Sequence, residues 1–115
     1  MKLRIKRFKN IKNTNDKAIS MIKKKNFKAS LISAENQFKG KGTMGKKWVS
    51  KKGNIFISIF FEFKFKNITV NNFAVLNPFI LKSVLKKYIK KNIKIKWPND
   101  LMIKKDKFCG ILQET

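Results

Sequence analysis

Along the chain, apolar positions alternate with basic ones in LRIKRF (3–8), the period of a strand with one buried face. NTND (13–16) then precedes KAISMIKKK, where Ala18, Ile19 and Ile22 stand at helical spacing. Asn13 or Thr14 can cap that helix, and Asp16 suits the positive end of its dipole. ASLISAEN (29–36) reads as a second strand ending at Gln37, before a glycine-rich loop at 38–47. A turn at 51–54 leads into IFISIFFEF (55–63), an apolar run expected to be a strand buried on both faces.

The stretch 70–92 predicts one long helix, with Phe73, Leu76, Ile80, Val84 and Tyr88 on a stripe that Leu81, Leu85 and Ile89 widen. Pro78 is expected to bend or restart it. IKIKW (93–97) alternates cleanly and stops at Pro98. LMIK (101–104) and FCGILQE (108–114) then predict a hairpin turning at Lys105-Asp106, so that the chain would end on an apolar strand wanting a neighbour. The order of elements implies one α+β domain, its mixed or mostly antiparallel sheet covered by helices.

Composition narrows the chemistry. Absence of histidine among the 115 residues excludes Ser-His and Cys-His catalysis and mixed zinc sites. The lone Cys109 excludes an internal disulfide and suits a reducing, cytoplasmic setting. No secretory signal or membrane-spanning run is visible. The 29 basic against 6 acidic residues give +23, which attracts polyanions; yet lysine enriches every segment, so a solvated surface explains it equally. A nucleic-acid-binding module is therefore one reading, opposed by the placement of Phe56, Phe60 and Phe61 in a buried-strand pattern.

Two stretches carry candidate chemistry. In QFKGKGTMGKKW (37–48), glycines at 40, 42 and 45 remove Cβ atoms and lysines at 39, 41, 46 and 47 add charge; a phosphate cradle and a surface loop both fit. It lacks the spacing of a Walker motif. In KWPND (96–100), Asp100 can meet a metal ion and Asn99 a ligand, or the stretch is an Asx-turn with Trp97 in the core. Lys107 opens the last strand beside Gly110.

In combination, N-T-N-D, Q-x-x-G-K-G-x-x-G-K-x-W, K-W-P-N-D and K-x-x-G-I-L-x-E resemble the biotin–protein ligases in order and spacing, from about Lys9 to Thr115. Lipoate and octanoate ligases share the fold and are the nearest alternative. The resemblance implies a biotin/lipoate ligase-like, class II synthetase-like catalytic domain. Its activity would be MgATP-dependent activation of biotin to biotinyl-5′-AMP, followed by transfer to a lysine of a biotin carboxyl carrier protein. It implies that Thr14, Asn15, Gln37, Gly40, Lys41, Gly42 and Gly110 contact biotin. Lys46, Trp48, Asn99 and Asp100 would face the nucleotide, Asp100 with Mg²⁺, and Lys107 would be catalytic at the anhydride. Lys41, Thr43 and Lys46 stand where the family commonly has arginine, which keeps charge at the two lysines and loses the bidentate fork. The family continues past this point into further strands and a C-terminal β domain and, in repressors, begins with a helix-turn-helix. The resemblance thus implies an incomplete catalytic domain, residues 1–115, with no specific DNA or membrane binding and compatible with a homodimer.

Overall fold

The computed structural model describes residues 2–115, which form two compact units, one ending at Phe63 and the other Lys64–Thr115. The elements in chain order are β1 (Arg4–Ile11), α1 (Thr14–Lys23), β2 (Ser30–Gln37), a 3₁₀ turn (Thr43–Gly45), β3 (Phe56–Phe60), α2 (Val70–Leu85), β4 (Ile93–Lys96), β5 (Asp100–Ile103) and β6 (Asp106–Gly110). The α+β class is as expected, with the strands in two three-stranded sheets, one mixed and one antiparallel.

In the first unit, β1 and β2 run parallel, joined by α1, and β3 adds antiparallel to β2. Parallel neighbours need a crossover, and α1 supplies it. Asn13 caps α1, its Oδ1 accepting from the Asp16 backbone N–H at 2.7 Å. The core gathers Ala18, Met21, Ile32 and Phe60, with Phe8 and Ile11 packed against it. Met21, rather than Ile22, turns inward beside Ala18.

The apolar run of β3 is buried on one face, not two. Phe56, Ser58 and Phe60 point to the core, whereas Ile57 and Ile59 remain 51% and 49% exposed. Period-2 geometry sends alternate side chains to opposite faces, and α1 covers one of them. The strand also stops at Phe60, short of the expected 63.

In the second unit, β4, β5 and β6 form an antiparallel meander against which α2 packs. Thr69 caps α2, accepting from the Asn72 N–H at 3.1 Å. The helix runs unbroken through a buried Pro78 and ends at Leu85, not at 92. Beyond Leu85, Lys86, Lys87, Lys90 and Lys91 would stand three and four apart on one surface, and like charges at that spacing disfavour helix. The expected stripe is also rotated. Leu76, Ile80 and Val84 are exposed and Tyr88 is 80% exposed, while Pro78 is buried and Leu81 and Leu85 are partly covered. The final hairpin turns one residue early, at Lys104-Lys105, with Lys104 in the left-handed region (φ 55°). β6 ends at Gly110, so residues 111–115 form no strand; Gln113 instead accepts from Asn77 Nδ2 (2.7 Å) and donates to the Val70 carbonyl (3.0 Å).

One-sided burial has a measurable consequence. Ile32 is fully buried and Ile57 half exposed. Ile32→Ala is expected to lower unfolding free energy by about 2–5 kcal/mol and Ile57→Ala by about 1 kcal/mol or less, read from urea denaturation of each variant.

Candidate functional site

Helix α1 begins inside the first unit, where its first-turn amides need partners. The Thr14 backbone N–H donates to Gln37 Oε1 at 2.8 Å, and Gln37 Nε2 donates to Ser50 Oγ at 3.0 Å. The Ser58 hydroxyl reaches Thr14 Oγ1 at 2.7 Å and also Asn15 Oδ1. One hydroxyl proton serves one contact at a time, so the Thr14 proton can supply the other. Thr14, Asn15 and Gln37, drawn from two separate motifs, are therefore one connected set. Asn13, Thr14 and Ser58 are buried.

Ser50 and Ser58 belong to this set and escaped the sequence reading. For Ser58 a signal existed: it shares strand parity with Phe56 and Phe60, and a hydroxyl on a core-facing position needs a partner. Ser50 carries no comparable signal.

The glycine-rich stretch is a small hairpin. Lys41 and Lys47 form a bridge, the Gly42 N–H donates to the Lys46 carbonyl (2.7 Å), and the Trp48 N–H donates to the Gly40 carbonyl (3.0 Å). Met44 (φ 57°) and Gly45 (φ 73°) turn it in the left-handed region. Its glycines have G-x-G-x-x-G spacing, but the stretch closes on itself instead of opening a helix, unlike a dinucleotide turn. The Gly42 amide is engaged within the hairpin, so the expected convergence of glycine N–H groups on an anion does not extend to it. Gly40 has a packing reason instead: a Cβ there would lie 2.5 Å from both Ser50 Oγ and the Trp48 carbonyl oxygen.

The hairpin is tied to α1 by charge. Asp16 Oδ1 pairs with Lys41 Nζ at 2.7 Å, and Asp16 Oδ2 pairs with Lys12 Nζ at 3.0 Å. Asn13 Nδ2 donates to Asp16 Oδ2 (3.0 Å) and to the Lys39 carbonyl (2.8 Å). The Lys41 ammonium above all, opposed by partial burial and helped by Lys12 and Asn13, holds the Asp16 carboxyl down at about 2.

The second unit carries the other candidates. Asp100 opens β5, and its Oδ1 lies 3.2 Å from Lys107 Nζ on β6. Asp100 is opposite Gly110 in the ladder, and the register shifts between Leu101 and Met102. The Asn99 carbonyl accepts from the Ile111 N–H at 2.9 Å, which ties the KWPND turn to the residue just past β6. Trp97 is 60% exposed rather than part of the core. Burial, with Asp100 adding to it and Lys107 opposing, pushes the Cys109 thiol up and away from the reactive thiolate. Asn99, Asp100, Lys107 and Gly110 are thus brought together, as are Thr14, Asn15, Gln37, Gly40, Lys41 and Gly42 in the first unit. No group of three or more carboxylates and thiols suited to a metal ion occurs among the described residues.

Solved structures share this fold. The biotin acetyl coenzyme A carboxylase synthetase of Helicobacter pylori, solved with bound biotinylated ATP, superposes with a TM-score of 0.90 at 26% identity, over 99% of this chain and 56% of its own. The biotin protein ligase of Leishmania major, solved with biotin, gives 0.82 at 26% identity, over 100% of this chain and 52% of its own. These similarities define the class as the α+β fold of the biotin ligases. In sequence, the bifunctional ligase/repressor BirA of Escherichia coli strain K12 is 33% identical over 82 residues, 70% of this chain and 26% of BirA. The chain thus spans about a quarter of that relative's length and about half that of the solved structures. Residues 7–115 match the biotin/lipoate A/B protein ligase family, and the chain belongs to it.

Two outcomes follow from the first-unit geometry. Because the Asp16 carboxyl sits below its ordinary 3.8, its ion pairs contribute fully above about pH 4 and are lost as pH falls through about 2. A carboxyl-carbon NMR titration should show that low midpoint, and one near 3.8 would contradict it. Gly40→Ala should destabilise the chain by about 1–3 kcal/mol in a thermal melt, since backbone and hydroxyl oxygens must move aside.

Proposed function

We propose that the chain is part of a biotin/lipoate ligase-like catalytic domain that activates biotin with ATP to biotinyl-5′-AMP, and that the biotinyl group passes to a lysine of a biotin carboxyl carrier protein. The observation that carries this reading is the joining of Thr14, Asn15 and Gln37 in one hydrogen-bonded set at the start of α1. Such a set offers donors and acceptors to the ureido ring of biotin. Membership of the ligase family and the fold shared with biotin-bound ligases support the same substrate.

In the first step a biotin carboxylate oxygen attacks the α-phosphorus of ATP, and the bond to the β-phosphate breaks to release pyrophosphate. Two anions must approach, so the residues' task is to offset charge. In this reading Lys41 receives the biotin carboxylate, Gly40 and Gly42 let the backbone come close, and Lys46 and Trp48 border the nucleotide. Lys107 stabilises charge on the anhydride oxygens, held in place by Asp100. In the second step the acceptor amine attacks the acyl carbon, AMP leaves, and the amine loses a proton. Asn99 and Asp100 face the nucleotide, and Gly110 allows close approach to biotin.

Mg²⁺ fits this set in one way. Asp100 provides a single carboxylate, and Mg²⁺ is often held by one or two carboxylates together with substrate phosphates. There it would offset phosphate charge. Among the described residues no helix is long and apolar enough to cross a membrane. The +23 charge suits an acidic carrier surface and raises encounter rates at low salt.

Biotin-dependent exchange of labelled pyrophosphate into ATP tests the proposal. Exchange is expected with biotin and not with lipoate or octanoate, and Lys107→Ala should reduce it by about 100-fold or more. Exchange supported by lipoate or octanoate alone would give the chain to the other branch of the family. Undiminished exchange in Lys107→Ala would remove that residue from the chemistry.

A further inference from the structure

Lysine is a poor choice for a fixed anion contact unless something orders it. Its four-carbon stem is flexible and its ammonium is a point charge without a fork. Lys41 is ordered from outside its own hairpin. Asp16, in the first turn of α1, pairs with its Nζ at 2.7 Å. Asp16 is itself held by its backbone N–H to Asn13 Oδ1 (2.7 Å), by Asn13 Nδ2 (3.0 Å) and by Lys12 (3.0 Å). The same Asn13 amide donates to the Lys39 carbonyl, two residues before Lys41. Further backbone bonds run from the Phe38 N–H to the Ile11 carbonyl (3.1 Å) and from the Lys39 N–H to the Lys12 carbonyl (2.9 Å). The rim of the hairpin is thus bound by backbone to the end of β1 and Lys12, and by side chain to the cap and first turn of α1.

We infer that Asp16 is a positioning residue for Lys41, aiming its ammonium at the ligand carboxylate and anchoring the hairpin that carries it; this rests on the biotin reading above. An ammonium has three N–H donors, so pairing with Asp16 orients the group without consuming it. The acid neighbour also offsets repulsion between Lys41 and Lys12, both of which it contacts. Asp16 acts only through Lys41, so its effect must depend on the ligand's negative charge.

The test compares the native chain with Asp16→Asn, Asp16→Glu and Lys41→Ala. Binding of biotin and of the uncharged biotin methyl ester is measured by calorimetry, and backbone amide hydrogen exchange is followed at Gly42 and Trp48. Asp16→Asn should weaken biotin about tenfold, the lower end for loss of a charged hydrogen bond, and leave the ester unchanged. Asp16→Glu should restore part of the loss, and Asp16→Asn should add nothing in a Lys41→Ala background. Exchange at Gly42 and Trp48 should quicken about tenfold in Asp16→Asn as the anchor loosens. The inference is overturned if Asp16→Asn binds biotin like the native chain, or loses biotin and ester equally. Unchanged amide exchange would overturn it too. If the native chain binds neither compound the biotin reading fails, and the exchange measurement still judges the anchor.

Discussion

The hydrogen bond from the Thr14 amide to the Gln37 side chain organises the first unit. A helix that starts within a packed unit leaves first-turn N–H groups that water no longer serves, and each must find an acceptor. Gln37 accepts one, the Asn13 side chain another. Satisfying α1 therefore draws the end of β2 to the start of α1. Parallel pairing of β1 with β2, Ile11 opposite Gln37, sets the register that makes this reach correct. The polar set that results is a by-product of helix capping.

The basic hairpin after β2 inherits its position from the same cap. Gly40 admits the Trp48–Ser50 segment where a Cβ would collide, and Ser50 in turn receives the Gln37 amide. Packing, capping and charge placement are consequently one problem solved by a few residues. The chain has six carboxylates to set against 29 cations, and two of the six, Asp16 and Asp100, hold Lys41 and Lys107. In a surface this rich in lysine, a carboxylate is what distinguishes an aimed cation from a solvated one.

In the second unit the meander holds Asp100 and Lys107 on adjacent strands, and the Asn99 carbonyl ties the KWPND turn to Ile111. An antiparallel ladder is well suited to this, because residues distant by a few positions in sequence become cross-strand neighbours with fixed spacing. The raised thiol of Cys109, two residues past Lys107, marks the same partly covered surroundings.

Most elements were legible from residue pattern alone. Alternation marked β1 and β4, and a capping residue marked the start of α1, because strand pleat and unsatisfied amides act locally. The grouping of Thr14, Asn15 and Gln37 was legible through motif resemblance. Other features were not. Whether β3 is covered on one face or two depends on what packs against each, and composition does not record it. Which stripe of α2 turns inward depends on where β4 and β5 lie; the stripe through Leu76, Ile80 and Val84 was as apolar as the one containing Leu81 and Leu85. Asp16 looked like a dipole-favoured residue, and only the return of the chain after β2 brought Lys41 to it. Sequence determined which residues could satisfy each other, through periodicity, caps and charge. Tertiary structure decided which of them meet, since parallel crossover and strand register bring together groups more than twenty residues apart, such as Asp16 and Lys41.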